Sequence, residues 1–261
     1  MARFCPLASG SSGNSTYISS GASAVIIDAG ISYKAIAERV AAAGGDINKI
    51  SGVAVTHTHS DHISSIKALL QKTHAPLFAS RQTAEYLIAK NLIPSVTDCI
   101  ITDSDTATFG DIELVRFNTS HDAEGSCGYR VNTKSGSCAV CTDLGIVTDE
   151  VRNAISGINT VLLEFNHDID MLRRGPYPPH LEIRILSDLG HLSNSLAAAE
   201  VAGLLNSGVK QIICGHISRQ NNTPDLAVAA ARIAAEAVGA KANMDFLLSA
   251  ARVGMSEVSV F

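Results

Sequence analysis

The chain has 261 residues, of which 46% are hydrophobic and 17% charged, which describes a compact globular protein with ample core and excludes a disordered or fibrous one. The formal net charge of −5 excludes a globally basic nucleic-acid binder, so any nucleic acid must be held by a local patch. No apolar run reaches the ~20 residues that span a bilayer, and Met1-Ala2-Arg3-Phe4-Cys5-Pro6 lacks the apolar segment of a secretory signal, so a cytoplasmic protein with no membrane partner is expected.

In chain order, Phe4 to Ala8 and Thr16 to Ser19 read as short strands joined by Ser9-Gly10-Ser11-Ser12-Gly13-Asn14. Glycines let a backbone approach a ligand closely, and serine and asparagine offer hydrogen bonds, so Ser11 and Asn14 are candidate substrate contacts in a loop that could equally be only a turn. Ala24 to Asp28 is a buried strand ending in a carboxylate. A helix capped by Ser32 follows, with Tyr33, Ile36, Ala37 and Val40 on one face and a stop at Gly44-Gly45. Val53 to Thr56 is the next strand. A helix from Ile63 to about Thr73 and another from Ser80, with Ala84, Leu87 and Ile88 inward, come after it.

Residues 100 to 142 read as several strands with turns at Phe109-Gly110-Asp111 and Lys134-Ser135-Gly136. Val161 to Glu164 is a buried strand, again ending in a carboxylate, and Ile183 to Leu186 is strand-like. Ser195 to Asn206 is a helix with Ala197, Val201, Leu204 and Leu205 inward. Gln211 to Cys214 is a buried strand, and Asp225 to Val238 is a final helix through Leu226, Ala229, Ala230, Ile233 and Ala237. No linker marks a boundary, so residues 1–261 are expected to form a single domain. Both halves mix strands and helices, which predicts an α/β protein with two mixed β-sheets flanked by helices.

Thr56-His57-Thr58-His59-Ser60-Asp61-His62 concentrates the chemistry. In an extended segment His57 and His59 project to the same side about 7 Å apart, and Asp61 and His62 then enter the turn to a helix. Neutral imidazole and carboxylate suit zinc and, with more oxygen in the shell, manganese or iron. A metal-free histidine loop is the plainer alternative, but four donors in six residues between a buried strand and a helix argue against it. The six cysteines, including Cys138-Ala139-Val140-Cys141, sit mostly in apolar runs and are expected to be plain core residues.

His-x-His-x-Asp-His at residues 57–62 resembles the signature of the metallo-β-lactamase superfamily, an αββα sandwich. Ser120-His121-Asp122, Cys141-Thr142-Asp143 and Gly215-His216 lie where that superfamily places its later ligands. The resemblance implies two divalent ions. His57, His59 and His121 would bind one, Asp61, His62 and His216 the other, with Asp143 between them, and a shared hydroxide would be the nucleophile. Glu164-Phe165-Asn166-His167-Asp168, Met171 to Pro178, Arg184 to Asn194 and His216 to Asn222 further resemble the WalJ/YycJ family of metallo-β-lactamase-fold exonucleases. That family implies a phosphodiester hydrolase acting on DNA, a 5′-to-3′ exonuclease. It also implies catalytic roles for Asp61 and for a proton-handling pair, Glu164 and His191.

Arg173, Arg174 and Arg184 form the densest basic cluster and would neutralise backbone phosphates. His167 is a substrate contact or simple surface chemistry with about equal weight. Two other functions compete. A small-molecule hydrolase of the glyoxalase II or lactonase type would share the seven ligands without needing the His167 and His191 segments. A regulatory binding protein with a vestigial site would be expected to have lost a ligand.

Overall fold

A computed structural model describes residues 1–93 and 100–261; Cys99 lies outside the described residues. The chain runs β1 (Ala2–Ala8), β2 (Ser15–Ser20), β3 (Ser23–Ile27), α1 (Tyr33–Ala42), β4 (Gly52–Ala54), α2 (Ser60–Ile63), α3 (Ile66–Thr73), β5 (Leu77–Phe78), α4 (Arg81–Ala89) and β6 (Ile100–Ile101). It continues through β7 (Thr106–Phe109), β8 (Ile112–Asn118), β9 (Cys127–Thr133), β10 (Gly136–Cys141), α5 (Asp149–Ile155), β11 (Thr160–Glu164), α6 (Ile169–Arg174) and α7 (Pro179–Leu186). It closes with α8 (Asn194–Asn206), β12 (Gln211–Gly215), α9 (Pro224–Ala237), β13 (Leu247–Ala250) and β14 (Ser259–Val260).

The strands form two mixed seven-stranded sheets, ordered β14-β1-β2-β3-β4-β5-β6 and β13-β12-β11-β10-β9-β8-β7. In each, a parallel stretch carries the apolar runs. β3 to β6 pair in parallel, as do β10 to β13. Such strands are buried on both faces, which is why Val25-Ile26-Ile27 and Val161-Leu162-Leu163 read as continuous hydrophobic stretches without alternation. The chain divides into two compact units. The first comprises Met1–Phe117, Ala123–Ser137 and Arg252–Phe261, the second Asn118–Asp122 and Cys138–Ala251. No helix among the described residues is long and apolar enough to cross a membrane.

In the first unit, Ile26, Val53 and Leu77 of the sheet pack with Ile36, Val40, Ile66, Leu69 and Leu70 from α1 and α3. Ser32 and Ser80 cap α1 and α4 through their side chains as their sequence positions predict. Cys5, Cys127, Cys138, Cys141 and Cys214 are free and buried, and burial pushes the Cys127 thiol up to about 12. The Cys138/Cys141 pair is therefore core, as expected.

Four local expectations need correction. Ile183 to Leu186 is not strand-like but the second half of α7, which Pro179 starts at a position where a missing N–H costs nothing. The helix expected from Ile63 to Thr73 is two pieces, α2 and α3, broken at residues 64–65. Ile88 of α4 points to solvent at 57% exposure. On α9 the buried face is Ala227, Ala231 and Ala235, while Leu226 and Ile233 are exposed. Alanine occurs all round that helix, so hydrophobicity alone could not choose the face. Small residues at four-residue spacing let α9 approach α8 closely, and that packing chooses it.

The loop that follows β4 is anchored from below by Tyr129 of β9, fully buried, whose hydroxyl donates to the carbonyls of Val55 (2.8 Å) and Phe78 (3.4 Å). Tyr129→Phe is expected to lower unfolding free energy by about 1–3 kcal/mol, because buried carbonyls lose their donor. Urea denaturation at constant slope measures it.

Candidate metal centre

Each unit contributes one cluster of donors, and in both the donors leave the C-terminal ends of strands. In the first unit β4 ends at Ala54, so residues 55–58 lie beyond the ladder and not in a strand as expected. Past the strand, the His57 ring comes within 4.7 Å of His59 and 4.1 Å of His62, centroid to centroid. Asp61 and His62 sit in α2, for which His59 is the N-cap residue.

Asp28, at the end of β3, organises this cluster. Its carboxylate accepts from the Thr56 backbone N–H (2.8 Å), the Thr56 hydroxyl (2.9 Å) and His62 Nδ1 (2.8 Å). With its proton given to Asp28, the Thr56 oxygen accepts from His57 Nδ1 at 3.1 Å. Both rings thus carry their proton on Nδ1 and leave Nε2 as the nitrogen that could hold a metal ion, in the carboxylate–histidine arrangement known to orient metal ligands. The sequence had marked Asp28 only as a strand end. Its partner Thr56 carried no signal of its own.

Asn14 is buried. Its amide oxygen accepts from Gly10 N–H at 2.9 Å. The amide nitrogen donates to Asp61 Oδ2 (3.3 Å) and reaches His62 Nε2 (2.9 Å), a contact that an ion on that nitrogen would replace. The Gly/Ser loop is also stapled by its backbone, Asn14 N–H to Asp61 O (2.7 Å) and Gly30 N–H to Asn14 O (2.8 Å). A Cβ at Gly30 would collide with the Asp61 carbonyl oxygen, so glycine is required there. Ser11 is exposed at the tip of the loop.

The second unit centres on Glu164, which ends β11 and is fully buried. Its Oε1 accepts from His191 Nδ1 and from His216 Nδ1, both at 2.8 Å, and its Oε2 accepts from the N–H groups of Leu144 (3.0 Å) and Leu192 (3.2 Å). Burial by itself raises the pKa of a carboxyl, but the two imidazoles outweigh it and hold Glu164 at about 2. Asp143, just past β10, places Oδ1 3.5 Å from His216 Nδ1 and 3.8 Å from His191 Nδ1. Ligand atoms of Asp143, Glu164, His191 and His216 all lie within 4.8 Å of one another. His121 gives Nδ1–H to the Gly190 carbonyl (3.1 Å), which turns Nε2 toward Asp143 Oδ1 at 3.9 Å. Burial lowers the His121 pKa, favouring the neutral ring a metal needs.

Behind these donors lies a network of side-chain amides. Asn166 Nδ2 donates to the His216 carbonyl at 3.0 Å. Asn194 and Asn222 exchange reciprocal amide bonds of 2.9 and 2.8 Å, and Asn222 also holds the Phe165 carbonyl. His167 is buried here, not at the surface, and burial pushes its pKa down to about 4. Arg173 and Arg174 lie in the last turn of α6, exposed, while Arg184 of α7 is paired with Asp122.

Asp28, Asp143 and His216 share one further property, a positive φ of 64°, 61° and 49°. Non-glycine residues are held there only when surroundings over-determine them, and such strain collects at functional sites. Paired carboxylates, tautomer-fixed imidazoles and strained strand ends fit divalent metal and the class of metallohydrolases.

Comparison with known proteins agrees. Residues 8–216 match the metallo-beta-lactamase superfamily, and the chain belongs to it. Within that superfamily it is of the WalJ/YycJ type: it is 40% identical to exodeoxyribonuclease YycJ of Bacillus anthracis over 86% of this chain and 85% of that protein, and 36% identical to exodeoxyribonuclease WalJ of Streptococcus pneumoniae over the same shares. The crystal structure of the metallo-beta-lactamase fold protein YhfI from Bacillus subtilis aligns with a TM-score of 0.74, at 14% identity, over 99% of this chain and 98% of that one. The fold is thus the αββα sandwich expected, with two mixed seven-stranded sheets flanked by helices.

Asp28→Asn is expected to weaken metal affinity about 10–100-fold, as loss of a partner behind a ligating histidine does. Competition against a chromogenic chelator measures it, and an unchanged affinity would remove His62 from the ligand set.

Proposed function

We infer that the protein is a metal-dependent nuclease that hydrolyses phosphodiester bonds at DNA ends with 5′-to-3′ polarity, in the cytoplasm. The observation that carries the reading is the Glu164 carboxylate shared between His216 and His191. One of these rings is a superfamily ligand and the other is not, so a single buried acid couples a metal ligand to an imidazole with another task. The named activity of relatives 36–40% identical supports the same reading.

By the superfamily pattern, His57, His59 and His121 would hold one divalent ion and Asp61, His62 and His216 a second, with Asp143 between. Zinc, manganese and iron all fit this donor set. When bound, such ions polarise phosphate oxygens and lower the pKa of water enough to supply a nucleophile near neutral pH.

The chain's own residues do the remainder. Glu164 holds His191 by Nδ1, so Nε2 is the atom that delivers a proton to the leaving alkoxide. The same carboxylate, through its second oxygen, pins the Leu144 and Leu192 amides and so fixes the segments after Asp143 and His191. Arg173 and Arg174 meet the anionic backbone.

His191→Ala is expected to lower DNA end cleavage by about 10²–10⁴-fold, the usual worth of a general acid. An activated aryl phosphodiester, whose leaving group needs no proton, should be affected far less, and bound metal should stay constant. Equal losses on both substrates, or loss of an ion, would make His191 a ligand. Asp61→Ala should abolish cleavage with the fold intact, as circular dichroism checks. A purified protein that turns over a thioester or lactone but no DNA would move the reading to the small-molecule hydrolases.

A further inference from the structure

The face of the first sheet on which α1 packs is covered only in part. Register sets Val260, Arg3, Ser19 and Ala24 opposite one another across β14, β1, β2 and β3, and directly opposed residues share a face. Tyr17, two residues before Ser19, belongs to the next row of the same face and joins the apolar core with Ile36 and Val40 of α1. The helix ends at Ala42, and a turn at Gly44-Gly45, with a φ of 78° at Gly44, follows it. The Arg3 row is left open to a cavity of about 700 Å³, inside the ~300–1,000 Å³ range of small-molecule sites. The cavity lies where β3 begins, at Ser23 and Ala24, whereas the metal donors of this unit gather past Asp28, roughly 16 Å along the strand.

The hydrogen-bond donors that line this cavity are unengaged. Tyr17 is 3% exposed, yet its hydroxyl has no hydrogen-bond partner among the described residues. A buried hydroxyl without a partner is costly, which points to a ligand or water that satisfies it. A Cβ at Gly45 would collide with that oxygen, so only glycine leaves the hydroxyl room for a partner. Arg3 Nη1 donates to the carbonyls of Gly44 (3.0 Å) and Ala43 (3.4 Å), which anchors the guanidinium at the end of α1. No acid among the described residues pairs with it. Lys49 stands at the rim. Asp46 is the one acid among the lining residues, 3.9 Å from Lys49 Nζ, and its Oδ1 already accepts from Asn48 N–H at 3.0 Å.

We propose that this cavity binds a phosphomonoester carried on a sugar, at a site separate from the metal donors. A guanidinium fork, an ammonium and the hydroxyls of Tyr17 and Ser19 offer more donors than the two oxygens of a carboxylate can use, and the three terminal oxygens of a phosphomonoester suit them. Inorganic phosphate alone would fill little of the volume. Ala24, Val260 and the ring of Tyr17 make the remaining wall apolar, which suits the sugar or a base attached to it. With two cations against one acid, the cavity matches a single phosphate group better than a run of them, so a nucleic-acid backbone is the poorer occupant.

The test uses the full-length, metal-loaded protein labelled with 3-fluorotyrosine, with Tyr17→Phe assigning the Tyr17 fluorine signal among the five tyrosines. Thymidine 5′-monophosphate and ribose 5-phosphate are the probes, and thymidine and inorganic phosphate the controls. The Tyr17 signal is expected to move saturably with an ester and not with thymidine. Arg3→Gln should weaken that binding about 10–100-fold, as loss of a charge-assisted hydrogen bond does. Ser19→Phe, which fills the cavity floor, should abolish it. Because Arg3 also holds the end of α1, Lys49→Ala at the exposed rim gives a separate reading, about two- to fivefold weaker, and thermal midpoints report the folding of each variant. Movement with both esters supports the site and makes the sugar phosphate the recognised group; movement with the nucleotide alone supports it and adds the base as a contact. No movement with either ester, equal movement with inorganic phosphate, or wild-type affinity in folded Arg3→Gln and Ser19→Phe overturns the proposal. An ester that binds only at the metal donors fails the same way, since these variants would not change its affinity. Cleavage of DNA plays no part in the readout, so this proposal and the nuclease reading fail separately.

Discussion

The second unit depends on one buried carboxylate accepting four hydrogen bonds. Glu164 is fully buried, and a carboxylate there is tolerable only because two imidazoles and two backbone amides saturate it. Each partner is also a functional anchor: the rings of His191 and His216, and the chain just beyond Asp143 and His191. Removing the acid would not delete one interaction. It would release two histidines and two loop segments together, leaving two imidazole and two backbone N–H donors without their common acceptor.

The first unit solves the same problem with Asp28. Its carboxylate ends a parallel strand and takes a hydroxyl, an amide and an imidazole, and the tautomers of two histidines follow from that arrangement. Parallel strands make this possible. Neighbouring strands end at the same level, so a carboxylate just past one reaches the loop leaving the next, as Asp28 after β3 reaches Thr56 after β4. The chemistry therefore lies at strand ends, while strand interiors are left to aliphatic packing.

Much of this could be read from the chain. Dense donor spacing at residues 57–62 identified the cluster, and apolar runs ending in a carboxylate or histidine located Asp28, Glu164 and His216. Misreadings arose where a local pattern was ambiguous and a distant contact decided it. The alanine-rich α9 has no unique apolar face until α8 selects one. Ile183 to Leu186 is apolar enough for a strand, yet Pro179 begins a helix through it. Asn14 and His167 carry polar side chains in loops, and nothing local says that both are buried. The roles of Asn166, Asn194 and Asn222 depend on partners 28 to 57 residues away, which spacing within a motif cannot express.

The left-handed backbone at Asp28, Asp143 and His216 sets a limit on engineering this scaffold. Each such residue stores about 1–3 kcal/mol of conformational strain, and glycine at any of them would relax it. At Asp28 that relief is opposed, because glycine would leave the Thr56 and His62 donors without their buried acceptor. Positive φ also occurs at His74, Asn91 and Asn243, away from the donor clusters, so robustness is better sought there and on helix faces such as the exposed side of α9.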